Sequence, residues 1–255
     1  MPAARRLLAA ATLLLVLAGC ATVPKDPAAR AYYQQTNDPL EPTNRVFYVV
    51  NDALDTVLMR PFALAYHYGT PQFFQDRVHN VLANLDTPVV LANDMLEGNP
   101  RRAGDTLMRG LINTTIGLVG IFDVASGVGY PAHAADFGIT LGVWGMPAGP
   151  YLYLPVLGPS SPRDVLGFGG DYALSPFTWF GKGYAMQDFG YARMGLTAVD
   201  TRARFLSDLD KIKAQALDPY ATLRSLYRQH RESQIRDARH DAPASVPAWY
   251  PQPAK

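Results

Sequence analysis

A mainly α-helical body broken by one non-helical segment is the fold class that this sequence predicts, on three observations. Apolar residues recur at helical spacing in successive stretches between residues 38 and 240. Asp-Pro, Asn-Pro, Thr-Pro and Gly signals of the kind that start and stop helices punctuate those stretches. Residues 137–162, by contrast, form 26 consecutive uncharged positions holding five prolines and five glycines. That length suits a membrane, but the composition does not suit a helix.

The first element opens at Asp38-Pro39-Leu40-Glu41, where an N-cap acid, a proline at the first helical position and a glutamate at N3 approximate a capping box. Val46, Val49, Val50, Ala53, Leu54, Val57 and Leu58 then share a helical spacing until Arg60-Pro61 interrupts it, since an internal proline lacks a backbone donor. Asp76 to Leu85 carries Val78, Val81 and Leu82 on the next helix. Thr87-Pro88 starts another, which Gly98 can end, and Asn99-Pro100 caps a further one running through Leu107, Met108 and Leu111. Ile116 to Phe122 is apolar on every side and is closed by Asp123.

In the uncharged segment, prolines 147, 150, 155, 159 and 162 each remove a backbone donor, and an interior proline costs a helix about 3 kcal/mol. Short extended stretches, Ile139 to Val143 and Tyr151 to Leu154, joined across Gly145-Met146-Pro147-Ala148-Gly149, are expected instead. Such backbone at bilayer depth must be buried in protein or line a wet cavity. Gly167-Phe168-Gly169-Gly170 reads as a turn, with Arg163, Asp164 and Asp171 beside it as an ion-pair cluster or as capping groups. After Trp179, Phe189, Ala192, Leu196, Val199, Ala203 and Leu206 mark one face of a long helix. Asp218-Pro219 opens a last helix with Tyr220, Leu223, Leu226 and Tyr227 on one side and Arg224, Arg228, Arg231, Arg236 and Arg239 around it.

Charged residues make up 18% of the chain, against about 25% in ordinary globular proteins. Contact with lipid produces that bias, and so does a compact soluble domain with a large core; composition does not separate the two.

Residues 1–19 have the layout of a secretory signal: Arg5 and Arg6, an apolar run from Leu7 to Leu17, then small residues. The run is shorter than the about 20 apolar residues that span a bilayer. Leu17-Ala18-Gly19-Cys20 resembles the bacterial lipobox, and Cys20 is the only cysteine in the chain, which leaves it no disulfide partner there. Lipidation at Cys20 is the expectation, and several acyl chains anchor firmly because each buried methylene contributes about 0.8 kcal/mol. Ala21 stands where lipoprotein sorting rules place an inner-membrane-retaining Asp, which favours the outer membrane. The resulting organisation is a signal at 1–19, a lipidated tether at 20–37, one body at 38–213, a basic C-terminal helix at 214–240 and a proline-rich disordered tail at 241–255. Removing 1–19 leaves 21 basic residues against 22 acidic ones, a near-neutral balance with no nucleic-acid signature.

The chemistry of hydrolysis is not written in the sequence. There is no G-x-S-x-G elbow, and Ser160 and Ser161 sit among prolines. Histidines 67, 79, 133, 230 and 240 have no metal-binding spacing. No catalytic residue, metal site or cofactor is expected.

Several spaced motifs, taken together, carry a resemblance. They are Asp38-Pro39-Leu40-Glu41-Pro42-Thr43-Asn44-Arg45 with Asn51-Asp52, then Arg60-Pro61, Asn84-Leu85 and Arg109-Gly110-Leu111-Ile112-Asn113. Gly117-Leu118-Val119-Gly120-Ile121-Phe122-Asp123-Val124-Ala125 and Asp136-Phe137-Gly138-Ile139-Thr140-Leu141-Gly142 follow. Most specific is Gly149-Pro150-Tyr151-Leu152-Tyr153-Leu154-Pro155-Val156-Leu157-Gly158-Pro159-Ser160 with Arg163-Asp164, and then Asp200-Thr201-Arg202-Ala203. In these motifs, from about Asp38 to Ile235, the chain resembles the MlaA (VacJ) family of outer-membrane lipoproteins.

The resemblance implies a single ring-like helical domain embedded in the inner leaflet of the outer membrane on its periplasmic side, with an amphipathic pore and usually docked on trimeric porins. It implies removal of phospholipids that have strayed into the outer leaflet, and their transfer to a soluble periplasmic carrier, MlaC. On that basis Gly149, Pro150, Tyr151, Tyr153 and Pro155 are candidates for a pore wall or ridge. Arg45, Arg109 and Arg163 are candidates for contact with the lipid phosphate, the alternative for each being a structural ion pair. The basic helix after Pro219 is either a flexible arm that meets the carrier or a solvated face. A lipid hydrolase and a purely structural porin clamp are the rival functions.

Overall fold

A computed structural model describes residues 25–27, 30, 36–179 and 183–240. The expected signal at 1–19, Cys20 and the tail at 241–255 lie outside the described residues.

The protein is mainly α. Helix α1 (Glu41–Leu54) passes through one wide π turn, Asp55–Met59, directly into α2 (Arg60–Gly69). Then come α3 (Gln72–Leu96), α4 (Pro100–Thr115) and the single-turn α5 (Val124–Gly127). Helix α6 (Phe137–Val143) precedes a hairpin of β1 (Leu152–Leu154) and β2 (Gly158–Ser160). Helices α7 (Pro162–Leu174), α8 (Pro176–Trp179), α9 (Tyr184–Arg204), α10 (Leu206–Gln215) and α11 (Pro219–His240) complete the described chain.

Local signals hold where the chain is free to obey them. Asn99 caps α4, its side chain accepting from Arg102 N, and Gly98 ends the preceding helix at φ 73°. Asp123 caps α5 and Asp218 caps α11 in the same way.

Elsewhere tertiary demands override them. Asp38 does not cap α1, which has no side-chain cap; its carboxylate turns inward to Asn44, Tyr220 and Arg224. Arg60-Pro61 does not stop the helix, because the π turn resets the hydrogen-bond register and leaves Pro61 in the first turn of α2, where no donor is needed. Pro88 sits inside the continuous α3. Beside it α3 packs against α4, where a Cβ at Gly110 would lie 2.8 Å from the Thr87 side chain at Cγ2.

The uncharged segment is also partly helical. Ile139 to Val143 belongs to α6, since Asp136 caps it through Ile139 N at 2.9 Å and the prolines begin only at 147. Leu152–Leu154 is extended, but it pairs antiparallel with β2, Leu152 opposite Ser160 and Leu154 opposite Gly158. Gly167-Phe168-Gly169-Gly170 lies within α7 and is not a turn. Gly167 serves a backbone crossing: a Cβ there would come 2.6 Å from Gly138 N on α6. Ile116 to Phe122 is a set of turns, with Leu118 and Val119 at positive φ. Helix α9 breaks from α10 at Phe205, although Ala203 and Leu206 still pack together on Ala63 of α2.

Among the described residues the core is three small clusters. Besides the one around Ala63, Ile139 packs with Ile235 and Ala238, and Tyr151 packs with Tyr153 and Tyr220. Helix α11 supplies Ile235, Ala238 and Tyr220, so it is an integral part of the body and not a separate flexible arm. Its arginines point the same way: Arg224 reaches Asp38, Arg231 reaches Asp136 and Asp164, and Arg239 donates to Gly142 O.

Candidate functional site

Helix α1 holds the hairpin in place through two asparagines seven residues apart, hence on one face. Asn44 Nδ2 donates to Tyr151 O at 3.0 Å and Asn44 Oδ1 accepts from Tyr153 N at 2.9 Å. Asn51 repeats the pattern two turns later, donating to Leu154 O and accepting from Val156 N, each at 2.8 Å. Each amide thus acts as a neighbouring strand would, satisfying backbone groups of a segment with too few strand partners of its own. The anchored hairpin carries Tyr151 and Tyr153 into edge-on ring contacts with Tyr48 and Tyr220.

Next to this cluster lies a cleft of about 320 Å³. The loop from Gly145 to Gly149 lines it together with Tyr151, Ser160 and Arg163. Gly145 and Gly149 both sit at positive φ, the region that favours glycine. Helix α11 contributes Arg228, Arg231, Arg236 and Arg239 to the lining. Five arginines therefore line the cleft against two carboxylates, Asp164 and Glu232.

Arg231 is held by both Asp136 oxygens and by Asp164. Burial works against its charge, but these carboxylates more than offset that and keep the guanidinium protonated. Burial likewise pushes the Asp164 carboxyl up, while Arg231 and Tyr227 draw it below the usual carboxylate range. Burial raises Tyr151 and Tyr153, the latter to about 12, so both phenols keep their protons at neutral pH.

The outside of the molecule is apolar to an unusual extent. Among the described residues, fifteen polar or charged residues are buried against thirteen hydrophobic ones. The apolar positions of α1 and the π turn face outward: Val46, Val49, Leu54 and Leu58 are exposed and Val57 is 79% so. Leu107, Met108 and Leu111 of α4 and most of the Ile116–Phe122 turns join them. Exposed apolar surface on this scale marks contact with a membrane or a partner. No helix among the described residues is long and apolar enough to cross a membrane.

The residues singled out from the sequence fall into groups. Gly149, Tyr151 and Arg163 line the cleft together. Tyr153 belongs to the tyrosine cluster, Pro150 is half-buried beside it in the chain, and Pro155 is exposed at the hairpin tip. Arg45 lies apart, pairing with Glu41 and Asp218 over the Tyr220 ring. Arg109 binds Asp123, Ser126 and Tyr130 O. Arg163 is buried and bonds Asp164 through Nε.

Ser160 and Arg231 are marked in the sequence only as part of a motif and of a basic helix, and nothing local there brings them to one cleft. The i, i+7 repeat of Asn44 and Asn51 on an otherwise apolar helix was a legible signal of a docked backbone. Among the described residues no group of three potential metal ligands assembles. His79 instead bonds Asp200, and His133 bonds Asp94.

Comparison with known proteins gives a consistent match. The family model for the MlaA lipoprotein matches residues 36–234. A protein of Escherichia coli (strain K12) named intermembrane phospholipid transport system lipoprotein MlaA is 35% identical over 236 residues, 88% of this chain and 86% of its own. Its namesake in Haemophilus influenzae is 33% identical over 210 residues, covering 80% and 82%. An uncharacterized protein of Rickettsia bellii is 34% identical over 204 residues, covering 80% and 78%. A solved structure described as the structural basis for maintenance of bacterial outer membrane lipid asymmetry superposes with a TM-score of 0.66 at 30% identity. It covers 78% of this chain and 98% of its own.

Proposed function

The chain belongs to the MlaA lipoprotein family, and from that premise we propose that it withdraws phospholipids that have strayed into the outer leaflet of the outer membrane and passes them to a periplasmic carrier of the MlaC kind. The observation that carries the reading is the inverted distribution of polarity, with apolar helix faces outside and a charged, hydroxyl-lined cleft within.

A phospholipid joins a charged head to two apolar tails. A conduit for it needs an apolar exterior that sits among acyl chains and a polar interior that accepts the head. Short helices lying in the inner leaflet provide the first without crossing the bilayer. In this reading Cys20 is lipidated and delivers the chain to the outer membrane, where the body, ring-like as in its family, docks on porin trimers. Gly149, Pro150, Tyr151, Tyr153 and Pro155 form the wall or ridge beside the lipid path. Of the three arginine candidates, Arg163 is the one on the cleft and is retained as the headgroup contact; Arg45 and Arg109 act through ion pairs that hold α1 and α4. Transport of this kind breaks no bond in the lipid.

The test is selective labelling of outer-leaflet phospholipid in a strain lacking this gene, with and without the gene restored. Accumulation of phospholipid that the restored gene reverses is expected. Normal asymmetry in the deletion strain overturns the reading, and release of fatty acid by the purified protein replaces it with a hydrolase.

A further inference from the structure

Two residues that line the cleft each carry a buried hydroxyl with no partner. Tyr151 Oη and Ser160 Oγ are buried without a hydrogen bond, on residues only 2% and 1% exposed, and both residues line the same cleft. A buried unsatisfied hydroxyl costs about 1–3 kcal/mol, so one such group calls for an explanation, and two on residues that line the same cleft call for a common one. A shared acceptor would be such an explanation, and the rest of the lining says what charge it would carry. Arg163 is buried and lines the same cleft, its bond to Asp164 uses Nε at a long 3.4 Å, and arginines outnumber carboxylates around the cavity.

We propose that this cleft is a binding site for a phosphate ester anion, with Tyr151 Oη and Ser160 Oγ donating to its oxygens and the Arg163 guanidinium meeting its charge. Hydroxyl and guanidinium donors around a tetrahedral oxyanion make charge-assisted hydrogen bonds of the stronger class. The size agrees. A cavity of about 320 Å³ holds on the order of ten waters at roughly 30 Å³ each, enough for a phosphodiester headgroup and far too little for two acyl chains. On the phospholipid-conduit reading the ligand is the lipid headgroup with its tails left outside; free inorganic phosphate shares the chemistry.

The experiment uses the full chain purified in a maltoside detergent, which carries no phosphate. Glycerophosphoethanolamine, inorganic phosphate and plain glycerol are titrated by calorimetry and thermal shift, on wild type, Tyr151→Phe, Ser160→Ala and the double variant. Saturable binding of the phosphate compounds but not of glycerol is expected, weakened about tenfold or more in the double variant. The unliganded variants should melt at or above the wild-type temperature, because each loses an unsatisfied group; a merely structural hydroxyl would lower it. Tighter binding of the diester assigns the lipid headgroup as source, and tighter binding of inorganic phosphate assigns free phosphate. Absence of saturable binding, or equal binding by wild type and double variant, overturns the site and means that the cavity holds only water. Restored lipid asymmetry by a double variant that no longer binds the diester overturns the role of the cleft in transport but leaves the conduit reading standing. Normal asymmetry in the deletion strain removes the conduit reading and leaves the anion site to be judged on binding alone.

Discussion

Arg224 on the last helix reaches back to Asp38, 186 residues earlier in the chain, Nη1 to Oδ2 at 2.7 Å, with both side chains 5% exposed or less. Asp38 also accepts from Tyr220 Oη at 2.5 Å and Asn44 Nδ2 at 2.8 Å, so the carboxylate joins α1 and α11 beneath the hairpin. Removing one partner of a buried pair strands the other charge, at a cost of about 3–5 kcal/mol. Arg224→Met is therefore expected to lower unfolding free energy by that amount in urea titrations. Adding Asp38→Asn should recover part of the loss. Additive losses would mean that the two residues act independently.

Two glycines on α7 should respond with opposite signs. Gly167→Ala drives a Cβ to 2.6 Å from the α6 backbone at Gly138 and should cost about 1–3 kcal/mol through overpacking. Gly169 has nothing within 4 Å of an added Cβ. Gly169→Ala should stabilise by about 0.5–1 kcal/mol through helix propensity. Denaturant midpoints measured side by side check both.

The acid limb of stability should depend on Asp123. Burial opposes its charge, but hydrogen bonds from Arg109, Ser126 and Asn113 outweigh that and hold the carboxyl at about 2. A folded value below the unfolded one of about 3.9 stabilises the protein above pH 4, and that contribution is lost as pH falls from about 4 towards 2. Asp123→Asn should be less stable at pH 7 and should show a shallower loss between pH 4 and 2. An unchanged acid slope in thermal melts would show that other carboxylates govern it.

The exposed apolar face makes its own prediction about membranes. In a Cys20→Ala background, Val57→Asp and Phe62→Asp should alter stability in detergent by no more than about 0.5 kcal/mol, since both side chains are exposed. Each carboxylate should weaken flotation with phospholipid vesicles by about tenfold, from a cost of roughly 1–3 kcal/mol at partial depth. Undiminished flotation would place the membrane contact on another face.

Helix termini that rest on neighbouring residues were legible in the sequence. Asn99 and Asp218 cap where a reader would place them, because an N-cap bond spans only two or three residues. The tyrosine segment was legible as extended but not its pairing, and Asp38 was misread because its partners lie as far as 186 residues away. Proline signals at 61 and 88 misled for the same reason. Each states a local penalty of a few kcal/mol; a π turn avoids it at Pro61, while at Pro88 the helix runs on regardless, packed against α4.

By itself the sequence determined the helical periodicity, a few helix ends such as those at Gly98, Asn99 and Asp218 and, through its spaced motifs, the family. The direction in which each apolar face points was left to the tertiary structure. Periodicity is the same whether a face meets a core or a lipid, so Val46 to Leu58 read alike in either case. Only the folded chain decided that these residues face outward while Asp38, Asn44, Arg163 and Arg224 turn in. Likewise only the fold brought Tyr151, Ser160, Arg163 and Arg231 to one cleft, because a binding site is a matter of distance in space, and sequence separation carries no record of it.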